Sequence, residues 1–499
     1  MKALFRKIPR TSWILILIFI FTLVFRLFFA YQTPYFSDSD AYLNERYIEG
    51  ITQGSFLFKD DLTFSGHGLY TLPLFHVLFA GFKIILGGWT LKFIPEVIAS
   101  LLVFLVFLIA KRISDDEIAS LLAAFSAGFM PFLFHTFFNN LSQNGLFILL
   151  MFYMFYCFIR IKEKSYFNQF IVLAFLLPLI NIYYFVVIFI FLIYLLLSRS
   201  ESFEVAKLKK EVVVFTMLLG VLASFIVFKK PLLKLGFSVF WQNTPSTLLN
   251  SYFSSIDIVG TIFALGLIPL LFGVYGIYHG ILKKKNENIL LFSSICLAVL
   301  VLLLIRWVRF DFGLTVFGLA LIIISSLGYG TFLDYMKLTK VSEQAKTIKI
   351  VLFVLLILGN VVPSIVVVNS TLSSTIGDSE YNGLLWLRND ADKVGEVLSS
   401  HEEGNYISSI AGWRTLIDDN FLYGTNVNKR FDELMEIYTT QSEVEAKTLS
   451  DKYNIKYIYI TKRTKELYNL DEVAFTKDER CFRRAWQEGD TEIYKTRNC

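Results

Sequence analysis

Ser12-Trp-Ile-Leu-Ile-Leu-Ile-Phe-Ile-Phe-Thr-Leu-Val-Phe-Arg-Leu-Phe-Phe-Ala-Tyr31 is a run of mostly apolar residues. It is long enough to carry a helix across a bilayer, which takes ~20 residues. Lys2, Arg6, Lys7 and Arg10 precede it and no small-residue cleavage site follows, so it reads as an uncleaved anchor. The same pattern recurs along the chain. Further spans are read near 91–110, 117–136, 144–161, 167–181, 182–198, 212–228, 258–281, 288–305, 311–332 and 349–368, about eleven by the length rule. The segment 69–87 holds Pro73, His76, Lys83 and a Gly87-Gly88 end, so an interfacial or re-entrant pair of helices is expected there. The break at Pro178 and Asn181 makes 167–198 two short helices.

The composition agrees. Of 499 residues 55% are hydrophobic, 51 are Phe and only 18% are charged, against ~25% charged in soluble proteins. A disordered chain, a nucleic-acid-binding module and an ordinary cytosolic enzyme are thereby excluded. The net charge of +5 joins two unlike parts: residues 369–499 hold 17 basic and 23 acidic residues, net −6, which leaves +11 for the rest. The expected fold is a polytopic all-α transmembrane bundle over 1–368, with 32–88 as a first external loop. A small α/β extracytoplasmic domain over 369–499 follows it.

Orientation follows from the basic residues. With 69–87 left out as a full span, Lys111-Arg112, Arg160-Lys162-Lys164, Arg199 to Lys210, Lys283-Lys284-Lys285 and Lys337 to Lys349 fall on the side of the N-terminus. The positive-inside rule makes that side cytoplasmic and the tail external. In the tail, Val397-Leu398-Ser399, Tyr457 to Ile460 and Glu492-Ile493-Tyr494 read as strands. Tyr381 to Asn389 and Glu433 to Tyr453 read as helices. Cys481 and Cys499 both lie where a disulfide can form.

The polar residues that need a reason collect on the external side. Asp38 and Asp40 directly follow the first span; two acids at this spacing suit a hard divalent cation, or one ligates while the other activates an acceptor. The plain alternative is a polar loop exit. Asp60, Asp61 and His67 have a plain alternative role as turn and cap residues, which is the simpler reading for Asp60. Asn139-Asn140-Leu-Ser-Gln-Asn144 offers neutral oxygens to a cation, with Ser142 or Asn144 as a helix cap the competing role. Asp257, before the span at 258, is either a cap or a metal ligand. Arg306 and Arg309 stand on the external side, where arginine is disfavoured. Their forked donors suit the phosphate of a polyprenyl carrier.

This arrangement resembles the GT-C superfamily of membrane glycosyltransferases, and within it the catalytic subunit of archaeal oligosaccharyltransferases. The family's first external loop carries Asp-x-x-x-Asn-x-Arg, and here Asp40, Asn44 and Arg46 stand at that spacing. Gly404-Asn-Tyr-Ile-Ser-Ser-Ile-Ala-Gly-Trp-Arg414-Thr-Leu-Ile-Asp418-Asp-Asn420 looks like the segment after the family's acceptor-reading Trp-Trp-Asp-x-Gly motif. At the motif itself this chain has Ser400-His401-Glu402-Glu403-Gly404. The glycine is kept, the acid is Glu and both tryptophans are missing. The family's second acidic motif falls near 139–144, where this chain has only amides and a hydroxyl.

The resemblance implies a membrane glycosyltransferase. It would use a sugar or glycan on a polyprenyl (dolichyl) phosphate or pyrophosphate, with a protein or a glycan as acceptor and no nucleic acid. Asp40 and Asp38 are then the catalytic acids, with Arg306 and Arg309 on the donor phosphate and Asn44, Arg46, His401 and Glu402 toward the acceptor. Asp40, Asp257 and Asn144 are candidate ligands for Mg²⁺ or Mn²⁺. No phosphate-cradling glycine loop for a nucleotide sugar is visible. The alternatives are a lipid-linked-sugar transporter, which calls for ionisable residues within the spans and internal repeats, and a non-catalytic membrane scaffold.

Overall fold

The computed structural model describes residues 9–55, 59–64, 66–68, 73–253, 257–339, 344–390, 393–477, 480–497 and 499. Residues 69–72 and Ser254 to Ile256, on which parts of the reading above fall, lie outside them.

The anchor is helix α1 (Arg10–Ala30). A loop leads to α2 (Ser39–Thr52), which Asp38 caps by accepting the Asp40 N–H. After a two-residue hairpin, β1 (Lys59–Asp60) and β2 (His67–Gly68), comes α3 (Leu74–Leu86). The described part of 69–87 is thus one short helix, not a pair. It is stopped at Gly87, whose φ of 97° only glycine adopts freely.

The bundle then builds from α4 (Thr90–Ser114), α5 (Glu117–Gly128), α6 (Pro131–Phe137), α7 (Gln143–Ile159), α8 (Lys164–Leu176), α9 (Tyr184–Ser200) and α10 (Lys207–Leu235). It continues with α11 (Ser246–Asn250), α12 (Ile258–Leu265), α13 (Leu267–Tyr278), α14 (Glu287–Leu304), α15 (Phe310–Leu338), α16 (Ala345–Leu356) and α17 (Val362–Ser373). Among the described residues six helices are by themselves long and apolar enough to cross a membrane, or eight with two bent pairs. The other spans read from the sequence correspond to the short apolar helices α7, α8 and α9. A turn through Pro178 separates the last two, as the sequence suggests.

The span read at 258–281 is broken, contrary to expectation: α12 and α13 meet at 82°. The break is at Gly266, with φ 88°, where a Cβ would stand 2.5 Å from the Asn360 side-chain oxygen. Helix α15 is the buried axis, packed by α13, α14 and α4, while α1 and α10 turn mostly outward.

Beyond α17, α18 (Asp378–Arg388) leads into a five-stranded mixed sheet. Its strands are β3 (Glu396–Leu398), β4 (Arg414–Thr415), β5 (Ile455–Ile460), β6 (Phe482–Glu488) and β7 (Thr491–Thr496), in the order β4-β3-β5-β7-β6. The β6–β7 hairpin adds an antiparallel edge to β5, and β3 runs parallel to β4 and β5. Between β3 and β4 the short helical turn α19 (Gly404–Tyr406) packs on α2. Helices α20 (Val427–Thr439), α21 (Glu443–Lys452) and α22 (Lys462–Leu467) complete this region. A disulfide joins Cys481 to Cys499.

One apolar core runs unbroken from Phe147 and Phe312 in the bundle, through Ala41 and Ile48 of α2, to Leu384, Ile407 and Trp413. A second core under the other face of the sheet gathers Leu398, Leu416, Leu434, Ile458 and Phe482. Helix α2 is therefore clamped between bundle and sheet.

Candidate active site

A cavity of about 570 Å³ opens where the ends of several bundle helices meet the sheet region. Its lining comes from far-separated segments: Asp38 and Asp40 at the start of α2, Ser142 to Asn144 at the start of α7, Tyr183 before α9, and residues between Trp241 and Tyr252. Arg306 to Arg309 before α15, His401 and Glu402, Asp419 to Tyr423, and Arg463 contribute as well.

Asp40 sits at its centre. One of its oxygens accepts from the Asn405 side-chain amide at 2.9 Å, and the other lies 3.6 Å from Nη1 of Arg309. Protein walls it in on most sides, though the carboxyl still opens to the cavity. Enclosure first, and then the neighbouring Asp38, raise its pKa to about 7, against the lowering pull of Arg309. Asp419 feels the same forces and is raised to about 6, with enclosure outweighing the opposing pull of Arg309. Arg309 is held firmly charged: enclosure alone would lower it, but Asp40 and Asp419 more than offset that.

The other expected residues divide. Arg306 is on the wall; it donates to the Leu249 carbonyl and lies over the Phe253 ring. Its backbone is left-handed, at φ 60°. His401 and Glu402 are on the wall too. His401 Nε2 is 3.9 Å from an Asp419 oxygen, and burial makes this ring harder to protonate. Glu402 is raised by enclosure and then by Asp419. Asn44 reaches the wall, but its side chain is spent on Leu141 O at 2.9 Å, His76 at 2.9 Å and Gln143 at 3.2 Å.

Three readings need correction. Arg46 is absent from the cavity wall: both ends of its guanidinium fork bind Asp60, which also accepts the Leu62 N–H as a turn residue. Asp257 is exposed and also off the wall, capping α12 through Val259 N–H at 3.0 Å and Gly260 N–H at 2.9 Å. Asn144 does line the cavity, but its side-chain oxygen accepts from Asn181 at 2.7 Å, while Ser142 caps α7. So Asp40, Asp257 and Asn144 do not form one ligand set.

Two features were not read from the sequence. Asp419 joins the acids of the first loop from across the chain. Its only signal was the doublet Asp418-Asp419 in the segment quoted above. Asp418 is buried outright, and that burial raises its pKa well above the usual carboxylate range. Gly404 explains this placement: a Cβ there would stand 2.2 Å from the Ile417 carbonyl, so only glycine lets the 417–420 segment lie against it. The second is Arg463, which reaches the cavity from α22 with one nitrogen on Ser374 O at 2.8 Å.

No group of three or more His, Cys, Asp or Glu among the described residues could hold a metal ion. Asp38 and Asp40 alone supply two carboxylates in a cavity crowded with acid. That fits Mg²⁺ or Mn²⁺, which bind through one or two carboxylates completed by water and substrate phosphate.

Residues 70–228 match the model of the dolichyl-phosphate-mannose-protein mannosyltransferase family. Among solved structures the chain is similar to the oligosaccharyltransferase of Archaeoglobus fulgidus. In its apo form the two share 14% identity over 91% of this chain and 70% of that one, with a TM-score of 0.69. The complex of that enzyme with Zn and sulfate matches over 89% of this chain and 67% of the other, again at 14% identity with a TM-score of 0.67. Its complex with an inhibitory peptide and a dolichol-phosphate matches over 90% and 69%, at 14% identity and a TM-score of 0.67. No curated protein sequence matches this one.

Proposed function

We propose that the protein is an integral membrane glycosyltransferase that moves a sugar or glycan from a polyprenyl phosphate or pyrophosphate to a protein or glycan acceptor. The observation that carries this reading is the meeting of Asp40 and Arg309, 3.6 Å apart, in a cavity that Arg306 also lines. The dolichol-phosphate bound to the Archaeoglobus enzyme supports a carrier of that class. The cavity faces the extracytoplasmic side, as the distribution of basic residues in the loops favours.

In this mechanism the carrier phosphate lies against Arg306 and Arg309. The acceptor oxygen or nitrogen forms a bond to the anomeric carbon as the bond from that carbon to the phosphate oxygen breaks. The phosphate departs with the electron pair, and fixed guanidinium charges stabilise it as it develops. Asp40 takes the acceptor's proton; its raised pKa matches a general base working near neutrality. Asn405 aims the carboxylate, and Asp38 holds the turn that presents it. A divalent ion held by Asp38 and Asp40 would add Lewis-acid stabilisation of the phosphate. His401, Glu402 and Asp419 face the acceptor from the sheet side.

A transporter is less well supported. The ionisable pair inside the spans, Arg26 and Glu96, is fully buried and forms no part of the cavity wall. The test is reconstitution with a synthetic polyprenyl-linked sugar, comparing wild type with Asp40→Ala. Transfer by wild type and none by the variant is the expected result. Unchanged transfer in the variant removes this site, and sugar crossing the bilayer without transfer in both favours transport.

A further inference from the structure

Arg26 of α1 and Glu96 of α4 form a closed ion pair within the bundle. Arg26 Nε donates to Glu96 Oε2 at 2.6 Å, and neither side chain is accessible. Such a pair is a poor way to stabilise a membrane bundle, because apolar side chains of equal volume do so as well or better. Its remaining bonds point elsewhere. Arg26 Nη2 donates to the Phe137 carbonyl at 2.9 Å, and the guanidinium rests on the Phe134 ring 4.6 Å away. Glu96 Oε1 accepts the Asn139 backbone N–H at 2.6 Å. Both charges therefore terminate on the turn that ends α6.

That turn in turn holds the acidic loop. The Asn139 carbonyl accepts the Ser37 N–H at 3.0 Å, and the Asn139 side chain donates to Tyr35 O at 2.8 Å. Ser37 Oγ donates to Phe138 O at 2.8 Å. Asn140 Nδ2 donates to an oxygen of Asp38 at 3.2 Å, and Asp38 caps the helix that carries Asp40. Asn139 itself is left-handed, at φ 52°, a conformation that asparagine adopts more readily than most residues other than glycine.

We infer that Arg26 and Glu96 are positioning residues: through Phe137, Asn139 and Asn140 they fix where Asp38 and Asp40 stand in the cavity. The catalytic part of this statement rests on the proposed function; the positioning part does not.

The full-length protein in nanodiscs is compared as wild type, Arg26→Met/Glu96→Met and Arg26→Met/Glu96→Gln. Both doubles avoid an unpaired buried charge, and the second restores an acceptor for the Asn139 N–H. In the first double, amides of 35–44 and 136–144 are expected to exchange hydrogen about tenfold faster, while those of 316–326 in α15 stay within about twofold. The Gln variant should recover most of the difference. With lipid-linked sugar, kcat should fall about tenfold with the donor KM nearly unchanged, the signature of a misaimed base. Unaltered exchange at 35–44 overturns the inference, as does an equal rise throughout the bundle, which marks a purely structural pair. If the first double is not recovered folded, Arg26→Lys keeps the charge balance but gives up the fork to Phe137; no added exchange at 136–144 there sinks the inference as well. Absence of transfer by wild type would count against the proposed function alone, since exchange is read without turnover.

Discussion

Arg26–Glu96 and Arg309–Asp40 join the same two chemistries and behave as opposites. The first pair is dry, and every bond it makes is to neighbouring helices or to a backbone turn. The second is stretched to 3.6 Å, and both partners open to the cavity. Low dielectric makes the closed pair strong and also makes either partner costly to remove. In the cavity, enclosure outweighs the pull of Arg309, with Asp38 adding to it, so Asp40 and Asp419 keep raised pKa values. A pair shut away from the cavity fixes structure; one that opens to it has capacity left for a substrate.

The sharpest way to break this contrast is Asp40→Asn. Transfer should drop by about 10⁴-fold, the upper range for loss of a general base. Stability should move the other way. A carboxyl raised to about 7 from 3.8 favours the fold while it stays protonated, and that contribution is lost as pH rises between those values. The variant's Tm advantage over wild type should therefore grow from pH 5 to pH 8, as read by thermal unfolding in detergent. Wild-type transfer should itself rise with pH to a plateau above about 7. A flat profile would separate Asp40 from the chemistry.

Arg309→Gln comes next. It should lower kcat by about 10³-fold, as for loss of a preorganised charge, and push the acid limb to higher pH because the cation beside Asp40 is gone. A purely structural link provides the control: Cys481→Ser/Cys499→Ser should lose about 3 kcal/mol in denaturant unfolding, from an 18-residue separation, and keep its transfer rate. The smallest expected effect is Asp257→Ala, about 1 kcal/mol of helix capping, with transfer unchanged. A large loss of transfer there would return Asp257 to the site.

Much of this was legible in the sequence, for identifiable reasons. Apolar length announces spans, and Arg306 and Arg309 stand out because the loop charges put them on the side where the positive-inside rule disfavours arginine. Ser142 as a cap was legible because capping is local. Arg46 and Asp257 were misread because spacing cannot separate a ligand from an ion-pair partner or a cap; Asp60 and the α12 N-terminus decide that in space. The break at Gly266 was hidden inside an unbroken apolar run. Asp419 was out of reach because 379 positions separate it from Asp40, and only the close approach of Ile417 to Gly404 brings the two regions together.

The cavity draws Arg306 and Arg309 from the helical bundle, and Arg463 and several of its acids from the sheet region. Residues 401–402 and 419–423 belong to loops of the sheet region, and loops vary more readily than the helices they join. Arg306 and Arg309 stand in the turn between α14 and α15, at the end of the buried axis of the bundle. Under the proposed function, a roof of this kind can change to fit new acceptors while the arginines that would hold the carrier phosphate keep their place.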